Sequence, residues 1–506
     1  MKNRHNHPAS DVIPTAVTRP FVVESVVFLC GAVVMVMELV GSRLLAPYFG
    51  NSIFVWTSLI GVMLGFMALG SFLGGRLGDH HLSGGVLFWI LLAASASIAL
   101  IAFGEGIIIP WLAKGDALRI EAVASAIALF ALPSTILGMV SPYCIRLRMH
   151  AISDSGATVG NLYAISTLGS IVGTFAAGFW LIAAIGSHAI IVWIAAVPAL
   201  LALLFISPIS PKRVGAACGV ALMIGAAALF SHASLNSFDT QYDRYFIRRG
   251  TDKQSMRPVV GLTREVAGGA ETIVYADNGE PLIEGYLAYY DVVIKLAPRI
   301  KNTLLIGGGA FAYPRHQLIE YPSSTTDVVE IDPALIGVAR RDFFLKDDAR
   351  MRIFTEDGRT FVNKATGPYD VVLLDAFKSK GSVPYQLTTK ESMQRCYEIL
   401  GSDGVLAMNL IASIDGPGSR FAQAEVATVR AVFPQVEVFA VTDPSKPALV
   451  QNISIIASKD KSADLLGAMK RVAPDFASNR LDFKVPDGTK LITDDYAPVD
   501  QYIAGM

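Results

Sequence analysis

A short apolar run, Thr303-Leu-Leu-Ile306, ends in three glycines, Gly307, Gly308 and Gly309. A second apolar run beginning at Val328 ends in the acids Glu330 and Asp332, and Glu330 lies about twenty residues past the first glycine, the interval at which nucleotide sites place a ribose-binding acid. Each residue type has a job that the other cannot do. Glycine lets the backbone approach a ligand at the carboxyl end of a strand, whereas an ionised carboxylate accepts hydrogen bonds from both hydroxyls of a ribose. The chemistry written here is the holding of a nucleoside. Gly307, Gly309 and Ala312 also satisfy the dinucleotide fingerprint G-x-G-x-x-A. These two stretches alone therefore leave open a nicotinamide dinucleotide, or an ordinary glycine turn.

Three further polar residues fall at the ends of later apolar runs. Asp357-Gly358 follows the third run, where a carboxylate faces an adenine amino group, and Asn409 ends the fifth. Asp375 ends the fourth, Tyr369-Asp-Val-Val-Leu-Leu-Asp375, beside the place a sulfonium and its alkyl chain would occupy. Taken singly, each reads equally as a strand-end cap or a turn acid. Together with the glycines and the ribose acid, and in this order, they favour an adenosyl sulfonium over NAD, which has no use for Asp357-Gly358 or Asp375.

Alternating elements are needed to bring these residues to one edge. Strands at 303–307, 326–331, 351–355, 370–375 and 403–410 alternate with helices at 311–320, 333–343, 388–400 and 420–432, and strands at 435–441 and 450–457 follow. This predicts an α/β doubly wound parallel sheet with an antiparallel pair at its end, whose ligand lies beyond the carboxyl ends of the strands. A β-rich lead-in at 236–300 precedes it, with an Asn278-Gly279 hairpin turn and a helix around 286–296.

The 506 residues exceed one ordinary domain. Only 17% of them are charged, the net charge is −1, and the mean hydropathy is +0.47; nucleic acid is thereby excluded as a partner and a lipid bilayer implied. The apolar character is concentrated between residues 21 and 232, where about seven stretches approach the ~20 residues a bilayer requires: 21–42, 53–75, 84–104, 122–143, 163–184, 188–207 and 214–232. Residues 1–20 form a tail. Gly65, Gly70, Gly74 and Gly75, with Gly169, Gly173 and Gly178, have the spacing that lets helix backbones pack closely. Glu38 and Arg43, near the end of the first span, are ionisable at membrane depth and so are functional candidates or a structural pair. The four cysteines show no zinc spacing and no disulfide framework; no metal site is expected.

The stretch 284–410 resembles the catalytic domain of the spermidine synthase family of polyamine aminopropyltransferases. Tyr289-Tyr290-Asp291 resembles that family's Tyr-His-Glu segment, Gly307–Gly309 its glycine motif, and Glu330-Ile-Asp332 its ribose-binding strand end. Asp357-Gly358 resembles the adenine-side motif and Asp375 the catalytic aspartate. The apolar half, with Glu38–Gly50, Pro142 and 162–178, and the tail Thr493-Asp494-Asp495-Tyr-Ala-Pro-Val499 resemble bacterial forms fused to a multi-span membrane region. The resemblance implies a Rossmann-like S-adenosylmethionine-dependent transferase fold over 301–506. It also implies an inner-membrane location and a substrate that is S-adenosylmethionine or its decarboxylated form. Tyr289, Asp375 and Lys378 become the catalytic candidates. Tyr290, Asp291, Asp494 and Asp495 become substrate contacts, with a polyamine as acceptor and a homodimer admitted.

Two positions depart from the family. Ala310 stands where soluble synthases carry an aspartate that holds the aminopropyl amine, and Lys378 stands where they carry one that binds the polyamine. A lysine repels a cationic acceptor and suits a carboxylate. Three readings follow: aminopropyl transfer to an amine with release of methylthioadenosine; cleavage of S-adenosylmethionine without an outside amine; and a transporter or sensor that keeps a nucleoside-binding domain without catalysis. Sidedness is pulled two ways. The positive-inside count over seven spans sends the second half outside, whereas the cytoplasmic origin of adenosyl substrates argues for a catalytic domain facing the cytoplasm.

Overall fold

The computed structural model describes residues 20–50, 52–113, 118–149, 155–232, 237–264, 271–297, 300–377 and 383–503. The chain divides into two compact units, Met1–Leu235 and Asn236–Met506.

The first unit is helical. Its elements are α1 (Pro20–Phe49), α2 (Ile53–His80), α3 (Gly84–Leu112), α4 (Leu118–Arg148) and α5 (Ser155–Ala176). A π-helical turn over Ala177–Leu181 leads into the short α6 (Ile182–Ile185), and α7 (Ser187–Leu203) and α8 (Pro211–His232) complete it. By length and composition, six of the described helices suffice to cross a membrane. The sequence suggests about seven, and the difference lies in α7. That helix starts only after Gly186, whose φ of 77° breaks the chain direction, and ends at Leu203 after 17 residues, short of the ~20 that a span requires.

Glycine sets how closely these helices pack. A Cβ on Gly70 would stand 2.0 Å from the carbonyl oxygen of Thr135, and one on Gly74 would stand 2.4 Å from that of Met139, which joins α2 to α4. Gly169 and Gly173 meet the carbonyls of Phe28 and Ala32 in the same way, at 2.0 and 2.5 Å, joining α5 to α1. Gly65, Gly75 and Gly178 meet nothing within 4 Å. Periodicity marked all seven glycines alike, and the register of each helix against its neighbour sorts them.

The second unit begins with an antiparallel sheet, β1 (Ser237–Asp239), β2 (Arg244–Thr251), β3 (Pro258–Thr263) and β4 (Thr272–Tyr275), paired in chain order. Helix α9 (Tyr286–Leu296) leads into β5 (Asn302–Ile306), α10 (Ala312–Glu320), β6 (Thr325–Val329), α11 (Pro333–Asp342) and β7 (Met351–Phe354). Then come α12 (Gly358–Lys364), β8 (Tyr369–Leu374), α13 (Lys390–Ile399), β9 (Leu400–Ala412) and α14 (Arg420–Arg430). The unit ends with β10 (Gln435–Ala440), β11 (Gln451–Ser458), α15 (Leu465–Val472), α16 (Pro474–Ser478) and α17 (Val499–Ile503). The large sheet runs β10-β11-β9-β8-β5-β6-β7. Strands β5 to β9 are parallel and β10 and β11 antiparallel, as the pattern predicts. Its apolar side chains alternate between two cores. Leu304, Ile306, Val372, Leu374, Leu406 and Met408 pack with α13 and α14, while Leu305, Val328, Val371, Leu373, Val405 and Ala407 pack with α9. Helix α12 is not expected from the sequence, which places no helix between the strands at 351–355 and 370–375; Asp357 caps this helix of 7 residues.

The close helix contacts make a direct prediction. Gly169→Val forces a backbone contact apart, and overpacking of this kind costs about 1–3 kcal/mol. Thermal unfolding of the detergent-purified protein should show a clear fall in Tm for Gly169→Val and Gly70→Val and little change for Gly65→Val. Equal effects at all three positions would refute the glycine-mediated packing.

Candidate functional site

The order of the large sheet reverses between β5 and β8, and the candidate residues gather at that crevice. The parallel ladder runs on to its last residues: Gly307 N donates to Val329 O at 2.9 Å, Glu330 N to Phe354 O at 3.0 Å, and Asp375 N to Ile306 O at 2.8 Å. Gly307, Glu330 and Asp375 are thereby level with one another. Gly307 has φ 100°, and a Cβ there would lie 2.4 Å from the Asp375 carbonyl oxygen, so no other residue fits.

Glu330 is buried, and it holds the glycine loop. Its Oε2 accepts from Gly308 N at 2.9 Å and Gly309 N at 3.0 Å, and its Oε1 accepts from Asp332 N at 3.0 Å. Burial raises its pKa, against the lowering effect of these three bonds and of the nearby Arg264. The acid expected to meet ribose hydroxyls thus also fixes the loop that would cradle the nucleoside.

Asp375 has the most perturbed environment of the site. Burial pushes its pKa up to about 7, opposed by hydrogen bonds with Tyr290, Tyr286 and Asn409 and assisted by the charge of Glu271. Tyr286 and Tyr290 lie one turn apart on α9 and so share a face; burial, then the charge of Asp375, raises both phenols well above their ordinary range. The amide oxygen of Asn409, a buried residue, has no hydrogen-bond partner. A carboxyl titrating near neutrality beside an unsatisfied polar atom is the profile of a reaction centre.

The small sheet supplies a wall that the sequence reading did not include. Ala310 N donates to Thr272 Oγ1 at 3.3 Å, which brings the start of β4 against the glycine loop. Next to it, Glu271 pairs with Arg264, Nε to Oε1 at 2.7 Å, and Tyr286 Oη donates to the Glu271 carbonyl at 3.4 Å. These residues carry no motif and become visible only once the sheet is folded over the loop. The pairing of Tyr286 with Tyr290 was legible in their helical spacing.

Other expected site residues are used differently. Tyr289 is buried against Phe439 and Phe476, with its hydroxyl donating to Ala440 O at 3.1 Å and accepting from Asn479 at 3.3 Å. Position 289 lies off the helix face that meets Asp375, which Tyr286 and Tyr290 share. Asp291, expected at the substrate, bonds Lys295 at 2.8 Å and His316 at 3.3 Å. Asp332, expected at the cofactor, is a helix cap: it accepts from Ala334 N at 3.1 Å and from the hydroxyl of Thr240. Asp357 accepts from Thr360 N at 2.9 Å as the cap of α12, and Gly358 packs on Ile306 beside the strand ends. Asp494 is a clasp, bonded to Arg359 at 2.8 Å and Thr389 at 2.7 Å, and Asp495 is exposed beside it. Lys378 lies outside the described residues. Among the described residues no group of three or more His, Cys, Asp or Glu is arranged to hold a metal.

The raised pKa of Asp375 has a consequence for stability. A carboxyl that binds its proton more tightly folded than unfolded loses stability as pH rises from its unfolded value, ~4, to its folded value of about 7. Asp375→Asn mimics the protonated form. It should raise Tm at pH 8 and change it little below about pH 4, measured by scanning calorimetry of the full chain. A gain independent of pH, or no gain, would contradict the burial of this charge.

Residues 274–466 match the model of the spermine/spermidine synthase domain. A polyamine aminopropyltransferase from Vibrio vulnificus is 32% identical over 151 residues, 29% of this chain and 48% of the relative. A probable polyamine aminopropyl transferase from Bifidobacterium longum is 25% identical over 227 residues, 44% of this chain and 49% of the relative. The chain thus spans about half the length of the curated relatives it matches. Among solved structures, a probable spermidine synthase from Corynebacterium glutamicum aligns at 21% identity and a TM-score of 0.42, covering 51% of this chain and 95% of that one. The glycine loop, Glu330 and Asp375 all fall inside the matched segment, and the second unit carries a spermine/spermidine synthase domain.

Proposed function

We propose that the second unit binds an adenosyl sulfonium, S-adenosylmethionine or its decarboxylated form, and breaks its alkyl C–S bond with release of 5′-methylthioadenosine. Gly307–Gly309 and Glu330 hold the ribose, and Asp357 holds the adenine side. Asp375 takes a proton from a bound amine. The amine nitrogen then forms a bond to the methylene carbon next to sulfur, and the C–S bonding pair leaves with the sulfur. The sulfonium is already a good leaving group, so the protein contributes alignment and proton removal. Tyr286, Tyr290 and Asn409 orient Asp375 and the incoming nitrogen. The first unit holds the enzyme in a lipid bilayer.

The observation that carries this reading is Asp375 itself, with a pKa of about 7 at the strand end that abuts the glycine loop. A carboxyl at its ordinary pKa is too weak a base for an ammonium; one near 7 is matched to the task. The names of the relatives, polyamine aminopropyltransferases, support the class of reaction.

One feature favours a second reading. Ala310 is buried directly after the glycines, so the loop presents no carboxylate to an aminopropyl group. A substrate whose own carboxylate or amine attacks would need no outside acceptor, and S-adenosylmethionine would be cleaved alone.

Purified protein incubated with each sulfonium, with and without a diamine, should yield methylthioadenosine by mass spectrometry. Absence of that product under all conditions would overturn the proposal, and its formation without amine selects the second reading. Asp375→Asn should lower kcat ~10²–10⁴-fold while methylthioadenosine affinity stays within ~2-fold, the pattern of a group acting in the transition state. The base must be ionised, so kcat should rise with pH through about 7. A rate indifferent to pH between 5 and 8 would remove Asp375 from the base role.

A further inference from the structure

Arg264 and Glu271 form an ion pair at the mouth of the site, and no step described above uses it. Strand β3 ends at Thr263 and β4 begins at Thr272. Leu262 pairs with Thr272, and Glu271 N donates to Leu262 O at 2.8 Å. The pair therefore stands at the connecting end of the β3–β4 hairpin, one residue from the Thr272 hydroxyl that meets Ala310 N. Tyr286, whose phenol neighbours Asp375, donates to the Glu271 carbonyl. The charge of Arg264 is felt both at Glu330 and at Tyr286. With the Thr272 and Tyr286 contacts, this puts the pair near both the ribose acid and the reaction centre, where the sulfonium and its alkyl chain would lie. The two side chains are 21% and 28% exposed, sheltered enough for their charges to count and open enough to meet a ligand.

The alkyl chain ends in an ammonium if the substrate is decarboxylated, and in an ammonium plus a carboxylate if it is not. A lone ammonium could take Glu271 only by leaving the Arg264 guanidinium uncompensated beside a sulfonium, and separating a sheltered ion pair in this way is costly. A zwitterion exchanges ion for ion. Its carboxylate takes the planar fork of Arg264, of whose five N–H donors the Nε contact with Glu271 uses one, and its ammonium takes Glu271. Both charges of an α-amino acid sit on one carbon, so a donor and an acceptor side by side are their complement. Ala310 supplies no charge of its own here, and Glu271, one residue before the Thr272 that meets Ala310 N, brings a carboxylate beside the loop position where the resemblance expects one.

We infer that the Arg264–Glu271 pair receives the amino-acid end of the sulfonium, and that the substrate is S-adenosylmethionine with its carboxylate in place. This rests on the adenosyl-sulfonium reading of the same site and narrows it to one substrate.

The test is calorimetric titration of the full-length detergent-purified protein with methylthioadenosine, decarboxylated S-adenosylmethionine and S-adenosylmethionine. The wild type should bind S-adenosylmethionine at least ten-fold more tightly than the decarboxylated form, a comparison that needs no variant. Arg264→Gln should erase that preference by weakening S-adenosylmethionine alone, with methylthioadenosine unchanged. Glu271→Gln should weaken both sulfonium compounds and spare methylthioadenosine. Equal or tighter binding of the decarboxylated form by the wild type overturns the inference and leaves the nucleoside site standing. Failure to bind methylthioadenosine overturns both. An Arg264→Gln variant that loses all three ligands alike, while the wild type shows no preference, assigns the pair a structural role and overturns the inference.

Discussion

The geometry of the second unit depends on one buried carboxylate. Glu330 accepts three backbone N–H groups, two from the glycine loop after β5 and one from the start of the segment that caps α11. A loop rich in glycine has the largest conformational entropy to lose, and nothing in its own side chains can hold it. The carboxylate supplies charge-assisted bonds that a neutral acceptor would make only weakly. With the loop pinned, Gly307 lies against the Asp375 carbonyl, and the two strand ends on either side of the switch point are locked in register. Loss of Glu330 would leave three sheltered donors unsatisfied, so its binding role and its structural role are inseparable.

The second half of the site depends on burial without full neutralisation. Asp375 sits among two phenols and an amide that hydrogen-bond it, with a carboxylate nearby that opposes its charge. The opposing effects leave its pKa near 7, where a small movement of any neighbour changes its ionisation. Such a site is bought with stability, since the folded chain must carry a charge it would prefer to bury as the acid.

Much of this was legible in the sequence, and the reasons are physical. Strands β5, β6, β8 and β9 are largely buried and so appear as apolar runs, and Gly307, Glu330 and Asp375 follow the ends of theirs, whereas Asn409, expected at a strand end, lies inside β9 three residues before its last. The order and spacing of types along one chain were sufficient to find them. A three-residue motif specifies neighbours in sequence, whereas a helix turns about 100° per residue, so Tyr289 and Tyr290 do not share a face. Positions 286 and 290 share the face, and 289 faces the aromatic core of Phe439 and Phe476. Asp291, Asp332 and Asp494 were assigned by their place in motifs, and a motif does not say which acids are already taken by a lysine, a helix end or an arginine. Arg264 and Glu271 left no trace in the motifs because their meaning comes from a hairpin folding over a loop some forty residues further on.

The glycines of the first unit show the same limit from the other side. Their spacing announces close packing, but a glycine every four residues along a helix lines one stripe only if the neighbouring helix lies along that stripe. Gly70 and Gly74 meet α4, while Gly65, five residues before Gly70, and Gly75, one residue after Gly74, are rotated off it. A ligand site is decided in the same way. A residue's type fixes what it is able to do, and its neighbours fix what is left for it to do. By that criterion Glu271 is a stronger candidate for a ligand's ammonium than Asp291 or Asp494. Each of these acids has a basic partner, and on the inference drawn above that of Glu271 is the one a ligand's carboxylate would meet as the ammonium takes Glu271.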